Sequence, residues 1–425
     1  MSVASTAFMR SELASLLASL RAETTAWIAE HTSGRTGQLF APHFRQLHAL
    51  RAWFEALHAA LERRLVEARD GDELRRIRRA GLGLLGLWAP VRARLDHRDI
   101  ADFQVWRCAD AVSDSCYAPT FAALRRRCGP DRVPLRPYPL PFLSHVPAPY
   151  MLPAGYLPRD FAQALGPAGT REFAQRWPLP MVHLPITCKW DPWWMVMLGH
   201  EVGHQVELDL EIATPLAAAL ATAGQAPHWA AWSHEIFADA YAVLTLGRAA
   251  TRALFELVND DPTGLCQRHP DYPPALVRVA LMQALADATG LLNAGAGVPE
   301  DFDPAGLAAK DPACARDLAA VPAIVTVLLR PLPGWPCALA ELCAPDPEDA
   351  PVLQPRQVLA QQFAAYVALQ SGAADDLPAR RKALRDQTLT KIRPPGGVRS
   401  GAETVQPVDA DLLVTALMTA QWSSS

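Results

Sequence analysis

The segment Leu198-Gly199-His200-Glu201-Val202-Gly203-His204-Gln205 decides the reading of this 425-residue chain. On an α-helix, residues four apart share a face, so His200 and His204 present two imidazoles to one point, as two ligands of one zinc ion require. Glu201 stands between them, placed to reach a water held by the metal rather than the metal itself, which is where a general base belongs. The bland alternative is a surface helix with two unrelated histidines. Against it stands the apolar run Trp193-Trp194-Met195-Val196-Met197-Leu198, which leads into the motif and is continued by Val202 and Val206. Such a helix is expected to be buried. Burying His, Glu and His without partners costs about 2 kcal/mol or more each, and a metal ion removes that cost. Gly199 and Gly203 each weaken a helix by about 1 kcal/mol relative to Ala, which is tolerable where close packing or an approaching ligand needs the room.

A catalytic zinc has three protein ligands and one open position, so a third ligand is needed. The candidate is Glu235. The segment Trp232-Ser233-His234-Glu235-Ile236-Phe237-Ala238-Asp239-Ala240-Tyr241 reads as a second helix, with Ser233 as N-cap and Glu235 and Asp239 four apart on one face. One carboxylate can then ligate while the other accepts the free ring N–H of a ligating histidine and fixes its tautomer. His234 is a substitute ligand, but it points about 100° away from Glu235 on a helix, and only one of them can face the metal. The stretch from His204 to Glu235 is long enough for the first helix to end, turn through Ala223-Gly224-Gln225-Ala226-Pro227 and return alongside.

His-Glu-x-x-His followed by Glu-x-x-Ala-Asp resembles the gluzincin branch of zinc metallopeptidases, and most of all the group containing the CAAX-processing and heat-shock membrane proteases. The resemblance covers roughly residues 180 to 285. It implies zinc on His200, His204 and Glu235, one ion per chain, Glu201 as base, and Asp239 orienting His200. That group also carries His-Pro-Pro followed by Arg, and this chain has His269-Pro270-Asp271-Tyr272-Pro273-Pro274-Ala275-Leu276-Val277-Arg278. Aligning on Pro273-Pro274 puts Tyr272 where the relatives have histidine and leaves Arg278 at the matching distance. Aligning on His269-Pro270 keeps the histidine and lengthens the path to Arg278 by three residues. A phenol can donate one hydrogen bond to an oxyanion as an imidazole can, so Tyr272 is preferred over His269 for that role. Arg278 is expected to tie its helix start to the catalytic core through a carboxylate. The competing reading makes His269, Tyr272 and Arg278 ordinary turn and cap residues at a Pro-rich helix start.

Outside this core the chain reads as helical. Leu13, Leu16, Leu17 and Leu20, then Leu47, Leu50, Phe54, Leu57, Leu61 and Leu65, repeat at helical spacing and predict an N-terminal helical domain over 1–128. It serves as a scaffold for the core or, in a sharper reading, as a module for a protein partner or self-association. Residues 129–292 form the metallopeptidase core, entered through a Pro-rich segment whose prolines forbid long helices before Phe161. Leu140–Leu143 and Met181–Ile186 are short candidate strands. The second is expected to line the cleft with an exposed edge that pairs with an extended substrate, and His183 on it to be a cleft-wall or surface residue rather than a ligand. Residues 293–425 read as a C-terminal helical region, with Val321 to Leu329 either strand or buried helix, helices over 357–369 and 409–419, and a mobile loop from Arg393 to about Pro407.

The whole is thus expected to be mainly α, in the α+β class, with a zincin-like core and a small strand element. The net charge of -4 gives no electrostatic reason to expect nucleic acid or an anionic membrane. Ala80–Val91, the longest apolar run, is too short to span a bilayer, which departs from the membrane proteases just named. The first ten residues lack the pattern of a secretory signal, and eight scattered cysteines without a Cys-x-x-Cys pair favour reduced thiols, so a cytoplasmic enzyme acting on a protein or peptide is expected. Two other classes compete. A non-catalytic scaffold could use zinc to staple two helices, although structural sites usually close with four ligands, often Cys, and neither motif contains one. A zinc hydrolase of a non-peptide amide keeps the chemistry and changes the substrate.

Overall fold

The leucine stripes at the start of the chain fold as four long helices: α1 (Val3–His31), α2 (Phe44–Glu67), α3 (Gly71–Asp96) and α4 (Phe103–Cys128). The computed structural model describes residues 3–129, 133, 137–146, 149–152, 159–258, 264–290, 297–343, 353–370, 376–392 and 409–420, and helices of ten residues or more are numbered. Leu13, Leu17, Leu47, Leu50, Phe54, Leu57 and Leu61 are all buried, as the period of 3.6 demands of one helix face. The apolar run Ala80–Val91 lies inside α3, whose first turn is capped by the Asp70 carboxylate accepting from the N–H groups of Asp72 and Glu73. No helix among the described residues is long and apolar enough to cross a membrane.

Past α4 the chain makes the only sheet among the described residues: β1 (Leu140–Ser144), β2 (Tyr150–Leu152) and β3 (Met181–Pro185), with α5 (Arg159–Arg176) between the last two. The spatial order is β1-β3-β2. β3 runs parallel to β1, with Phe142 opposite His183, and antiparallel to β2, with Tyr150 opposite His183. Polar groups bolt this sheet to the N-terminal helices. Gln46 Nε2 donates to the Tyr138 carbonyl at 2.9 Å, and Arg98 donates to the Pro141 carbonyl at 3.3 Å while holding Asp110 with two further bonds at 3.1 and 2.6 Å. Arg98 and Asp110 are both buried, so neither charge could stand there without the other.

The rest is helical: α6 (Leu198–Leu210), α7 (Ala213–Ala223), α8 (Ser233–Leu246), α9 (Arg248–Val258), α10 (Ala275–Thr289), α11 (Pro312–Leu328), α12 (Pro355–Gln370), α13 (Leu377–Lys391) and α14 (Ala410–Thr419). Val321 to Leu328 is therefore helix, not strand: Pro312 starts α11, and the Asp311 carboxylate caps it by accepting from Ala313 and Cys314. The expected loop from Arg393 to about Pro407 lies outside the described residues. A buried apolar cluster runs continuously from Leu13 through Val202 and Phe237 to Leu417. α14 packs against α2, α3 and α5, so a segment predicted with the C-terminal region completes the N-terminal helices.

Candidate metal centre

The motif helix α6 is held at both ends of its approach. A 3-10 turn over Pro192–Met197 leads into it, and there Trp193 stacks on Tyr366 of α12 with ring centroids 4.6 Å apart. Arg381 of α13 grips Asp191 through two bonds of 2.9 and 2.6 Å. α8 then lies directly against α6, and the two glycines explain how closely. A Cβ on Gly203 would stand 2.9 Å from the Ala238 Cα and 3.1 Å from the Tyr241 Cβ; one on Gly199 would meet the Leu246 Cδ1 at 2.5 Å. Close packing, rather than an approaching ligand, is what these glycines serve.

Across that contact His200, His204 and Glu235 converge. The two Nε2 atoms are 3.2 Å apart, and the Glu235 oxygens lie 3.5 Å from His200 Nε2 and 3.6 Å from His204 Nε2. Two donors about 2.05 Å from a tetrahedral zinc stand about 3.3 Å apart, so these separations suit the geometry of zinc ligands without rearrangement. Among the described residues this is the one group of three such side chains close enough to share an ion. Asp239 lies one turn past Glu235 and accepts from His200 Nδ1 at 2.9 Å, which leaves Nε2 facing Glu235 and His204. Arg278 of α10 crosses behind, donating to Asp239 at 2.7 and 2.8 Å and lying 3.2 Å from Glu235. Arg278 thus ties α10 to the centre through a carboxylate.

Charge in this cluster is strongly biased. Burial works against a charged His200, but its bonds to Asp239 and Glu235 prevail and hold its pKa up at about 10. Burial alone would raise Asp239 and Glu235; Arg278 overrides it at Asp239, and His200 overrides it at Glu235, so both carboxylates are held below their usual range. For His204, burial and then the neighbouring His200 lower the pKa to about 3, leaving a neutral ring able to ligate. Glu201 is 4 % exposed, and burial pushes its carboxyl up to about 7. Among the described residues Glu201, Glu235 and Asp239 surround the two imidazoles, and the negative charge that favours a cationic His200 would equally favour a divalent cation.

The centre opens into a cavity of about 740 Å³ whose walls include His200, Glu201, His204, Glu235, Arg278 and Tyr272. Tyr272 is half exposed there, and the nearby Glu235 charge raises its phenol pKa. His269 is not in the cavity wall: its ring packs against Tyr272 at 5.1 Å and its Nδ1 accepts from the Asp271 N–H at 3.2 Å. His234 borders the cavity but turns toward Glu207, with Nδ1 2.6 Å from Oε2, and is not one of the converging donors.

Three expectations need correction. β3 is the central strand, paired on both sides, so its edge is not free for a substrate; the edge strand bordering the cavity is β2, through Tyr150 and Met151. Its three residues are too few to show a period in the sequence. His183 is fully buried rather than at the surface, with Ser144 Oγ 2.7 Å from its Nε2 and Tyr150 packed over its ring. Ser233 is the first residue of α8 and buried, not its cap, because a short helical turn over His228–Ala231 runs straight into it. Sequence reasoning also passed over Glu207, although His200, His204 and Glu207 stand at helix positions i, i+4 and i+7 and hence on one face. Comparison with protein-family models, with curated proteins and with solved structures finds no match to this chain.

Proposed function

We propose that this chain is a zinc-dependent peptidase with a zincin-like core, in which His200, His204 and Glu235 hold one ion and Glu201 is the general base. The observation that carries the reading is the convergence of those three donors at zinc-ligand spacing, with a buried carboxylate beside them and a cavity in front. A zinc that only stapled α6 to α8 would close with a fourth protein ligand. Among the described residues no further His, Cys, Asp or Glu joins the three.

His200, His204 and Glu235 would hold the zinc, which would supply Lewis acidity towards a carbonyl and a water. Glu201 takes the proton of the attacking water and returns it to the departing amine, which its burial and its near-neutral pKa suit. Asp239 fixes the tautomer of His200, and Arg278 balances the charge of Asp239. Tyr272 donates its phenol proton in a hydrogen bond to the oxyanion that develops across the cavity. β2 offers the edge along which an extended peptide can pair.

The test is Glu201→Gln, which keeps size and helix propensity but cannot accept the proton. The variant is expected to hold about one zinc per chain by elemental analysis and to cleave no peptide. Hydrolysis at the wild-type rate in this variant would refute the mechanism, and a wild-type protein purified without zinc would refute the centre itself.

A further inference from the structure

One face of α6 borders the cavity along its length, through His200, His204, Glu207 and Leu208, and Glu211, the residue that ends the helix, lines it too. Glu207 belongs neither to the converging donors nor to the proton path. It is 3 % exposed, one oxygen accepts from His234, and the other, Oε1, has no hydrogen-bond partner. A buried carboxylate oxygen left without a donor is costly, and a cationic N–H group is the partner that would compensate it best. Glu211, exposed at the end of the same helix, adds a second carboxylate to that end of the cavity. Among the described residues Arg278 is the one arginine lining the cavity, and it is engaged with Asp239. Among the described residues Glu207 and Glu211 form no second metal-donor group, so an organic cation suits them better than an ion.

On the peptidase reading, we propose that Glu207, assisted by Glu211, binds a cationic group of the substrate beside the scissile bond. The distances suit this. Glu207 and Glu211 lie three and seven residues beyond His204, about 5 and 10 Å along the helix axis. An extended peptide advances about 3.3 Å per residue, so the cation belongs to a position one to three residues from the bond that is cut. Lysine and arginine side chains and a free amino terminus share the required N–H cation.

Binding separates these sources. The full chain carrying Glu201→Gln, which leaves peptides intact, is titrated with hexapeptides labelled at the carboxyl end. The set comprises an N-acetylated peptide containing arginine, its citrulline counterpart, and the citrulline peptide with a free amino terminus. The arginine peptide is expected to bind about 10-fold or more tighter than citrulline, and adding Glu207→Gln to erase that ratio. A gain confined to the free amino terminus, erased by the same change, assigns the site to an α-ammonium. Equal affinity for all three peptides, no binding, or a preference that survives Glu207→Gln overturns the proposal. Should Glu207→Gln fail to fold, the exposed Glu211→Gln is expected to reduce the ratio, and replacing arginine by glutamate in the peptide to abolish binding to the unmodified site; a glutamate peptide that binds as well overturns it. Zinc content and hydrolysis by the wild-type chain report on the peptidase reading separately. Zinc with indifferent cleavage of neutral peptides sinks only the cation site, whereas arginine recognition through Glu207 without zinc sinks only the peptidase.

Discussion

Replacing Gly203 by alanine tests whether the approach of α6 to α8 sets the proposed metal centre. The added Cβ would lie 2.9 Å from the Ala238 Cα, while non-bonded carbons rest at about 3.5 Å or more, a shortfall of about 0.6 Å. No rotamer change can relieve it, because the obstructing atom is backbone, so α8 must move. Glu235 sits one turn before Ala238 on the same helix and moves with it, although ligand positions tolerate only about 0.2 Å. Overpacking costs about 1–3 kcal/mol, and exchanging a helical glycine for alanine returns about 1 kcal/mol, so the metal-free chain is expected to lose no more than about 2 kcal/mol. Zinc affinity should fall further, by about 10- to 100-fold, the loss typical of a disturbed ligand support. Gly199→Ala is the control: its first obstruction is the flexible end of Leu246, and the nearest backbone atom, the Ala242 Cα, is at 3.3 Å, so its effect on zinc should be smaller. Denaturant unfolding of the metal-free proteins and competition titration with a chelator measure the two effects. A Gly203→Ala chain that binds zinc as tightly as wild type would refute the reasoning.

Other consequences are equally open to measurement. Asp239→Asn removes the buried charge facing the largely buried Arg278, so it should cost about 3 kcal/mol by denaturant unfolding and weaken zinc about 10- to 100-fold; an unchanged zinc affinity would detach Asp239 from the centre. Tyr272→Phe should lower kcat by about 10- to 1,000-fold with zinc content unchanged, while His269→Ala, outside the cavity wall, should leave turnover near wild type; the opposite pattern would move the oxyanion role to His269. His58, 1 % exposed with neither ring nitrogen hydrogen-bonded, has its pKa lowered by burial and then by Arg21, from 6.5 to about 4. Because the unfolded chain takes up that proton first, the neutral folded histidine contributes its full stability above pH 6.5 and loses it as pH falls toward 4. Between about pH 7.5 and about pH 5 the loss is about 2 kcal/mol, and His58→Leu should abolish it. An equal pH dependence in that variant would show that another group is responsible.

The convergence of His200, His204 and Glu235 was legible because these residues lie at helix spacings. His200 and His204, then Glu235 and Asp239, are each four apart, and a period of 3.6 turns that spacing into a shared face whatever surrounds it. Arg278 was legible as a tie to a carboxylate, but its partner, Asp239, lies 39 positions earlier, and only the packing of α10 on α8 pairs them. Strand order was not legible. Met181–Pro185 carries the same apolar character whether it lies at the edge or in the middle, and its place was decided by Tyr150–Leu152, a segment too short to announce itself. His183 shows the same limit: a polar residue in a strand reads as outward-facing unless its partner, here Ser144 on the neighbouring strand, is known. Glu207 sat on the ligand face throughout, and its distinguishing feature, one oxygen without a donor, exists only in three dimensions.

The position of α14 governs the order in which the molecule can be made. Leu413 and Leu417 fill the groove offered by α2, α3 and α5, and Asp411 reaches Arg63 at 3.2 Å, a contact 348 residues apart in sequence. Translation releases α2 long before α14, so the first helices must wait on the ribosome with an apolar surface uncovered. Domain-by-domain folding during synthesis, the usual protection of long chains, would therefore leave this face of the N-terminal bundle incomplete. Until residues 410–419 emerge, the surface they cover is open to chaperones and to aggregation.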